Sequence, residues 1–132
     1  MPTLSRRFIQ CALIHFAIGS TLGGLILIDK GIPQIYPLRQ FLPIHTELMF
    51  FGWVMQMIFG VAFWIFPRSQ GRRKNPEYAW IAFGLLNVGL LAFASGLNLI
   101  GRILELLSVL SFIKHIWQRA KPFEIAKSIQ NR

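Results

Sequence analysis

The stretch from His45 to Pro67 reads HTELMFFGWVMQMIFGVAFWIFP, and its reading decides the fold class. A hydrocarbon core is crossed by about 20 predominantly apolar residues in a helix. This run is long enough, and only His45, Thr46, Glu47 and Gln56 interrupt it with polar groups. Three further runs have comparable character. They extend from about Phe8 to Ile28, Tyr78 to Leu97 and Leu99 to Trp117, with the first run quoted covering about Leu42 to Phe66. The expected fold is therefore all-α: an integral membrane bundle of four transmembrane helices, a single domain over residues 1–132 with a tail from 118 onward.

Composition supports this. The chain is 54% hydrophobic and 14% charged, with 12 Phe and 4 Trp. Soluble domains carry about 25% charged residues, and a soluble monomer of this composition would expose large apolar patches. A soluble enzyme, a disordered chain and a disulfide-built secreted domain are excluded. Cys11 is the one cysteine, so no intramolecular disulfide, CxxC metal site or CxxCH haem attachment can form. The net charge of +9 does not indicate nucleic acid, because the basic residues lie between the apolar runs, as membrane topology requires.

The breaks have local causes. Asp29-Lys30-Gly31-Ile32-Pro33 ends the first helix, and Pro43 suits the first turn of the second. Pro67 closes the second, Pro76 opens the third, and Ser95-Gly96-Leu97-Asn98 forms a turn. The first run is too long for a signal-peptide core and no small-residue cleavage site follows it. Arg6, Arg7, Arg68, Arg72, Arg73, Lys74, Lys114, Arg119, Lys121, Lys127 and Arg132 fall on one side, and Lys30, Arg39 and Arg102 on the other. This asymmetry places both termini in the cytoplasm of a multi-pass inner-membrane protein. Phe123, Ala126 and Ile129 recur at spacing three, consistent with a short interfacial helix or a frayed end.

A polar group inside lipid needs a reason. At about 100° per residue, His45, Met49, Gly52, Gln56, Phe59, Gly60 and Phe63 share one stripe of the second helix. Gly52 lies two turns beyond His45. Two readings are open: a glycine there admits the edge of a flat ring ligated by His45, or Gly52, Gln56 and Gly60 form a small-residue helix contact. Glu47 faces about 200° away from His45 and can pair with Arg39 or Arg102 or sit at the helix start. Arg102 and Glu105, three apart, can also pair. In the third helix, Gly84, Asn87, Leu91 and Ser95 form a stripe that reads as a helix contact. His15 shares a face with Gly19 and Gly23 and reads as interior packing.

The pattern of a histidine near the outer helix end, then Gly52-Trp53, Gly60 and Pro67, resembles helix two of the haem-copper oxidase subunit I superfamily. The segment His45-x-Glu47-Leu48-Met49-Phe50-Phe51-Gly52 is also similar to the NnrS family of haem- and copper-containing membrane proteins. The resemblance implies an axial haem ligand at His45 and a b-type haem, with Met49, Gly52 and Gln56 beside it. Propionates are anionic and meet arginine, which brings in Arg39 and Arg102. The chain also departs from the superfamily, in having far fewer helices. Its three histidines, His15, His45 and His115, are too dispersed for a copper site, so oxygen or nitric oxide reduction by this chain alone is not expected. His15 and His45 differ in depth by about 15 Å and cannot flank one iron. Met49, on the helix of His45, cannot reach the opposite ring face. A symmetric dimer would supply a second His45 at the same depth. The expected function is electron transfer or diatomic gas binding by a membrane haem protein, in contact with lipid and possible respiratory-chain partners. The alternative is a cofactor-free accessory subunit of a respiratory complex.

Overall fold

The computed structural model describes residues 1–32, 37–66 and 76–117. These form four helices and no strand. The first, α1, spans Thr3–Gly31. The second, α2, spans Leu38–Ile65 and is continuous but not uniform. It opens with a 3-10 turn, Leu38–Phe41, proceeds as α-helix over Leu42–Glu47, widens to a π-helix over Leu48–Met55, and closes as α-helix over Gln56–Ile65. The third, α3, spans Pro76–Ala94, and the fourth, α4, Asn98–Trp117.

The chain is an all-helical membrane protein. Helices α1, α2 and α3 are each long and apolar enough to cross a bilayer. Helix α4 is not among them: it carries Arg102, Glu105 and Lys114. It lies along α3 instead, joined by small residues and hydroxyls. A Cβ on Gly101 would sit 2.9 Å from the carbonyl oxygen of Gly89. Ser108 Oγ donates to the carbonyl of Ala82 at 2.7 Å, and Ser111 Oγ to that of Tyr78 at 2.8 Å. Hydroxyls that bond a neighbouring backbone need no water, which suits them to a helix contact in lipid.

The α3–α4 turn falls where the sequence places it. Gly96 has φ +88°, a conformation open to glycine at little cost. The Leu97 N–H bonds the carbonyl of Ala92, and the Gly96 N–H that of Phe93. These two bonds cap the end of α3. Some boundaries differ from the sequence reading. Helix α1 begins five residues before Phe8, because Ser5 is buried and its hydroxyl bonds the carbonyl of Gly60. Helix α3 runs Pro76–Ala94 rather than 78–97, since the Gly96 turn stops it. The closing prolines Pro33 and Pro67, the basic residues at 68–74 and the residues from 118 onward lie outside the described residues.

An aromatic core gathers at the end of the bundle that carries the start of α1. Phe8 is fully buried. It meets Phe83 edge-on at 5.0 Å between centroids and Phe59 at 5.8 Å, and Phe59 stacks on Phe112 at 4.0 Å. All four helices contribute to this cluster. Edge-to-face and stacked rings add to simple area burial, which matters in lipid, where hydrophobic burial alone does not drive helices together.

Helices α1 and α2 run antiparallel in close register. Gly19 faces Met49, Gly23 faces His45, Gly52 faces His15 and Gly60 faces Phe8. Each glycine is the seat of a larger side chain on the partner helix. The polar stripe read along α2 is the inward one: Gly52, Gln56, Phe59, Gly60 and Phe63 are buried. The stripe read along α3 is not. Its buried face is Ala79, Ala82, Leu86, Gly89, Leu90 and Phe93, while Gly84, Leu91 and Ser95 are exposed; of that stripe Asn87 alone makes the expected amide contact, to Gln56 of α2. Residue spacing alone did not say which face of an apolar helix turns inward, and α4 binds the side rich in Ala and Gly.

Candidate functional site

His45 lies on the first turns of α2, held on an α1 ledge of two glycines. Its Nδ1 is 2.8 Å from the carbonyl oxygen of Gly19. A carbonyl only accepts, so Nδ1 carries the proton and donates. In that tautomer the ring's lone pair is at Nε2. A backbone carbonyl on one nitrogen, fixing the tautomer for the other, is the usual second contact of a metal-bound histidine. Gly23 supplies the space: a Cβ there would lie 2.5 Å from the ring's Cε1.

His15 is prepared differently. It sits deeper in the bundle, over Gly52, whose added Cβ would lie 2.9 Å from His15 Cβ and Cγ. A chain of amides leads to its ring. Asn87 Nδ2 donates to the carbonyl of Phe83 at 2.8 Å, so Asn87 turns its oxygen to Gln56. Gln56 Nε2 donates to that oxygen at 2.9 Å. The same nitrogen lies 3.4 Å from His15 Nδ1 and can donate to it when that nitrogen is unprotonated. Gln56 is fully buried. Gly23 and His15 are eight residues apart on α1, about 12 Å, so the two imidazoles stand in separate layers.

The packing at Gly52 is that of a helix contact: the room left by the missing side chain is occupied by His15. Met49 packs its sulfur on Gly19, where a Cβ would meet Sδ at 2.8 Å. It stays on the His45 side of the helix pair and offers nothing from across the ring. Arg39 is exposed. Arg102 is engaged elsewhere: its Nη1 lies 2.6 Å from Glu47 Oε1 and 3.8 Å from Glu105 Oε2. The guanidinium also sits 4.8 Å from the centroid of Phe93. Both carboxylates are buried, whereas the Arg102 side chain is half exposed. Of the partners open to Glu47 in the sequence, the fold selects Arg102. Its pairing ties α2 to α4 at the end of the bundle where His45 lies.

Between His45 and Gln56 runs the π-helical segment Leu48–Met55. Widened turns of this kind are rare within α-helices and concentrate at functional sites. Nothing in the sequence announced it. The two glycines under His45 were visible as a pair at spacing four on the helix of His15. Their partner was not, because that depends on the register of α1 against α2. A usable signal was present: Gly23 and His45 lie equally far along the chain from the middle of the short connection, so antiparallel pairing brings them together.

Among the described residues no three His, Cys, Asp or Glu side chains gather to hold a metal ion. One imidazole with a free Nε2 suits a metal that brings its own equatorial ligands, as iron in a porphyrin does. Comparison with known families bears on this. The family model described as Cytochrome C and Quinol oxidase polypeptide I matches residues 3–122. No curated protein and no solved structure matches the chain.

Proposed function

Since the chain belongs to the cytochrome c and quinol oxidase polypeptide I family, we propose that it is a membrane haem protein in which His45 Nε2 would hold the iron of a b-type haem. The observation that carries this reading is the bond from His45 Nδ1 to the carbonyl of Gly19, which orients the ring and selects the tautomer whose lone pair is at Nε2. Bound haem would supply reversible one-electron chemistry and a coordination position for a diatomic gas. The chain's own residues do the rest. Gly19 and Gly23 hold the imidazole, Met49 packs beside it on Gly19, and exposed Arg39 meets a propionate. Arg102 is committed to Glu47 and holds α4 in place.

In this reading α4 is a fourth span, its charges offset by Glu47, and both termini face the cytoplasm of an inner membrane. His45 of a second copy, brought to the same depth by a twofold axis, would be a second residue able to hold the haem; without it, one His45 would hold it alone. Six-coordinate iron favours electron transfer with a respiratory-chain partner, and five-coordinate iron favours gas binding.

The occupation of Gly52 by His15 favours one second reading, a cofactor-free accessory subunit that keeps this helix pair for packing. Pyridine haemochrome analysis of the purified chain separates the two. A b-type spectrum near one haem per chain, or per pair of chains, supports the haem protein; protein free of haem after expression in haem-replete cells selects the accessory subunit.

A further inference from the structure

Two glycines stand side by side on α1 in contrasting surroundings. At Gly23, a Cβ would lie 2.5 Å from His45 Cε1, 3.0 Å from Nδ1 and 3.2 Å from Nε2. At Gly24, a Cβ would meet nothing within 4 Å. Glycine is the poorest helix former after proline. At position 24 its presence has no packing cause. At position 23 it has one, and three ring atoms of His45, both nitrogens included, define it.

The ring is held from two directions. Its Nδ1 is bonded to the carbonyl of Gly19, one turn before Gly23 on the same face of α1. Its Cα belongs to α2. A methyl on Gly23 would have to recede to the ordinary carbon contact of about 3.5–4.0 Å. The ring would be displaced away from α1, and the 2.8 Å bond to Gly19 would lengthen toward the range where such bonds fail. A weaker bond at Nδ1 makes Nε2 a weaker donor.

Resting on the haem reading above, we infer that Gly23 is a positioning residue for the haem: its missing side chain sets the Nδ1–H···O bond of His45 and, through it, the electron-donating strength of Nε2 toward iron. A weaker donor stabilises ferric iron less, so loss of the bond moves the midpoint potential in the positive direction.

The experiment compares the full-length chain with Gly23→Ala and Gly24→Ala, each purified from haem-replete membranes. Haem content, midpoint potential and the electron paramagnetic resonance of ferric iron are read for all three. The expected result is wild-type haem content in Gly24→Ala, and a positive potential shift with displaced g-values in the haem bound by Gly23→Ala alone. An unmoved potential and unmoved g-values in Gly23→Ala overturn the inference, as does an equal shift in Gly24→Ala, which would be a general effect of alanine in α1. Wild-type chain without haem would overturn the haem reading itself, whereas wild-type haem with an unmoved Gly23→Ala overturns this inference alone. Should Gly23→Ala fail to accumulate, nitrogen-15 spectra of histidine-labelled haem-free wild type decide. An Nδ1-protonated His45 supports the inference and an Nε2-protonated one overturns it.

Discussion

His45 and His15 lie in the same helix pair, each resting on a glycine of the opposite helix, and the fold prepares them for opposite tasks. His45 gives its Nδ1 proton to a backbone carbonyl and keeps a lone pair at Nε2. His15 can accept at Nδ1 from Gln56 when that nitrogen is unprotonated, and Gln56 is itself oriented by Asn87 and the Phe83 carbonyl. The first arrangement resembles that of a ligand, and the second is a polar knot linking α1, α2 and α3 in which the buried Gln56 Oε1 accepts no bond from the described residues. The contrast shows that burial of a histidine in a membrane helix says little about its role. What matters is which nitrogen the neighbours leave free, and that is set by whether the contact is a carbonyl, which only accepts, or an amide N–H, which donates.

The largest stability effect should come from breaking the tie that steadies the His45 layer. Arg102→Leu leaves Glu47 and Glu105 buried without their guanidinium, and the loss should be about 2–3 kcal/mol. Unfolding in mixed micelles followed by tryptophan fluorescence measures it. A loss below about 0.5 kcal/mol would mean that the pair behaves as an exposed surface pair does.

Next is the seat of His15. Gly52→Ala places a methyl against His15 Cβ and Cγ, atoms too near the α1 backbone to swing aside. Overpacking costs about 1–3 kcal/mol, and the better helix propensity of alanine returns about 1. A net loss of up to about 2 kcal/mol is expected in the same assay. A stabilised variant would show that α1 and α2 are not in this register.

Gln56→Leu sharpens the comparison from the His15 side. It removes the donor to Asn87 and to His15, and membrane hydrogen bonds of this kind are worth about 1 kcal/mol. Stability should fall by that amount while haem content is unchanged. Loss of haem in Gln56→Leu would mean that the two layers are not separate. The smallest effect is expected from His15→Gln, which keeps an acceptor near Gln56. Its haem spectrum should match the wild type, and a changed spectrum would assign His15 to the iron.

Much of the fold is legible in the residue order. The apolar runs give the helices, Ser95-Gly96 gives the turn, and the stripe from His45 to Phe63 gives the inward face of α2. The stripe was readable because glycine and amide residues stand out against Phe and Leu. In α3 both faces are apolar, and the choice between them is made by how closely α4 can approach at Gly89, which no periodicity encodes. The site was half legible. An imidazole near a helix end is visible in the sequence, whereas the carbonyl of Gly19 is not, since every residue has one. The pairing of Arg102 with Glu47 lay among the options that charge allowed, but choosing it required α4 to lie against α2. The widened helix over Leu48–Met55 has no residue signature at all.

The central claim is that the Nε2 of His45 binds iron, and haem content of purified His45→Ala beside the wild type tests it most directly. The account predicts a wild-type Soret band that is abolished in His45→Ala, with helical content by circular dichroism retained. A Soret band of equal intensity and position in the two proteins would contradict it.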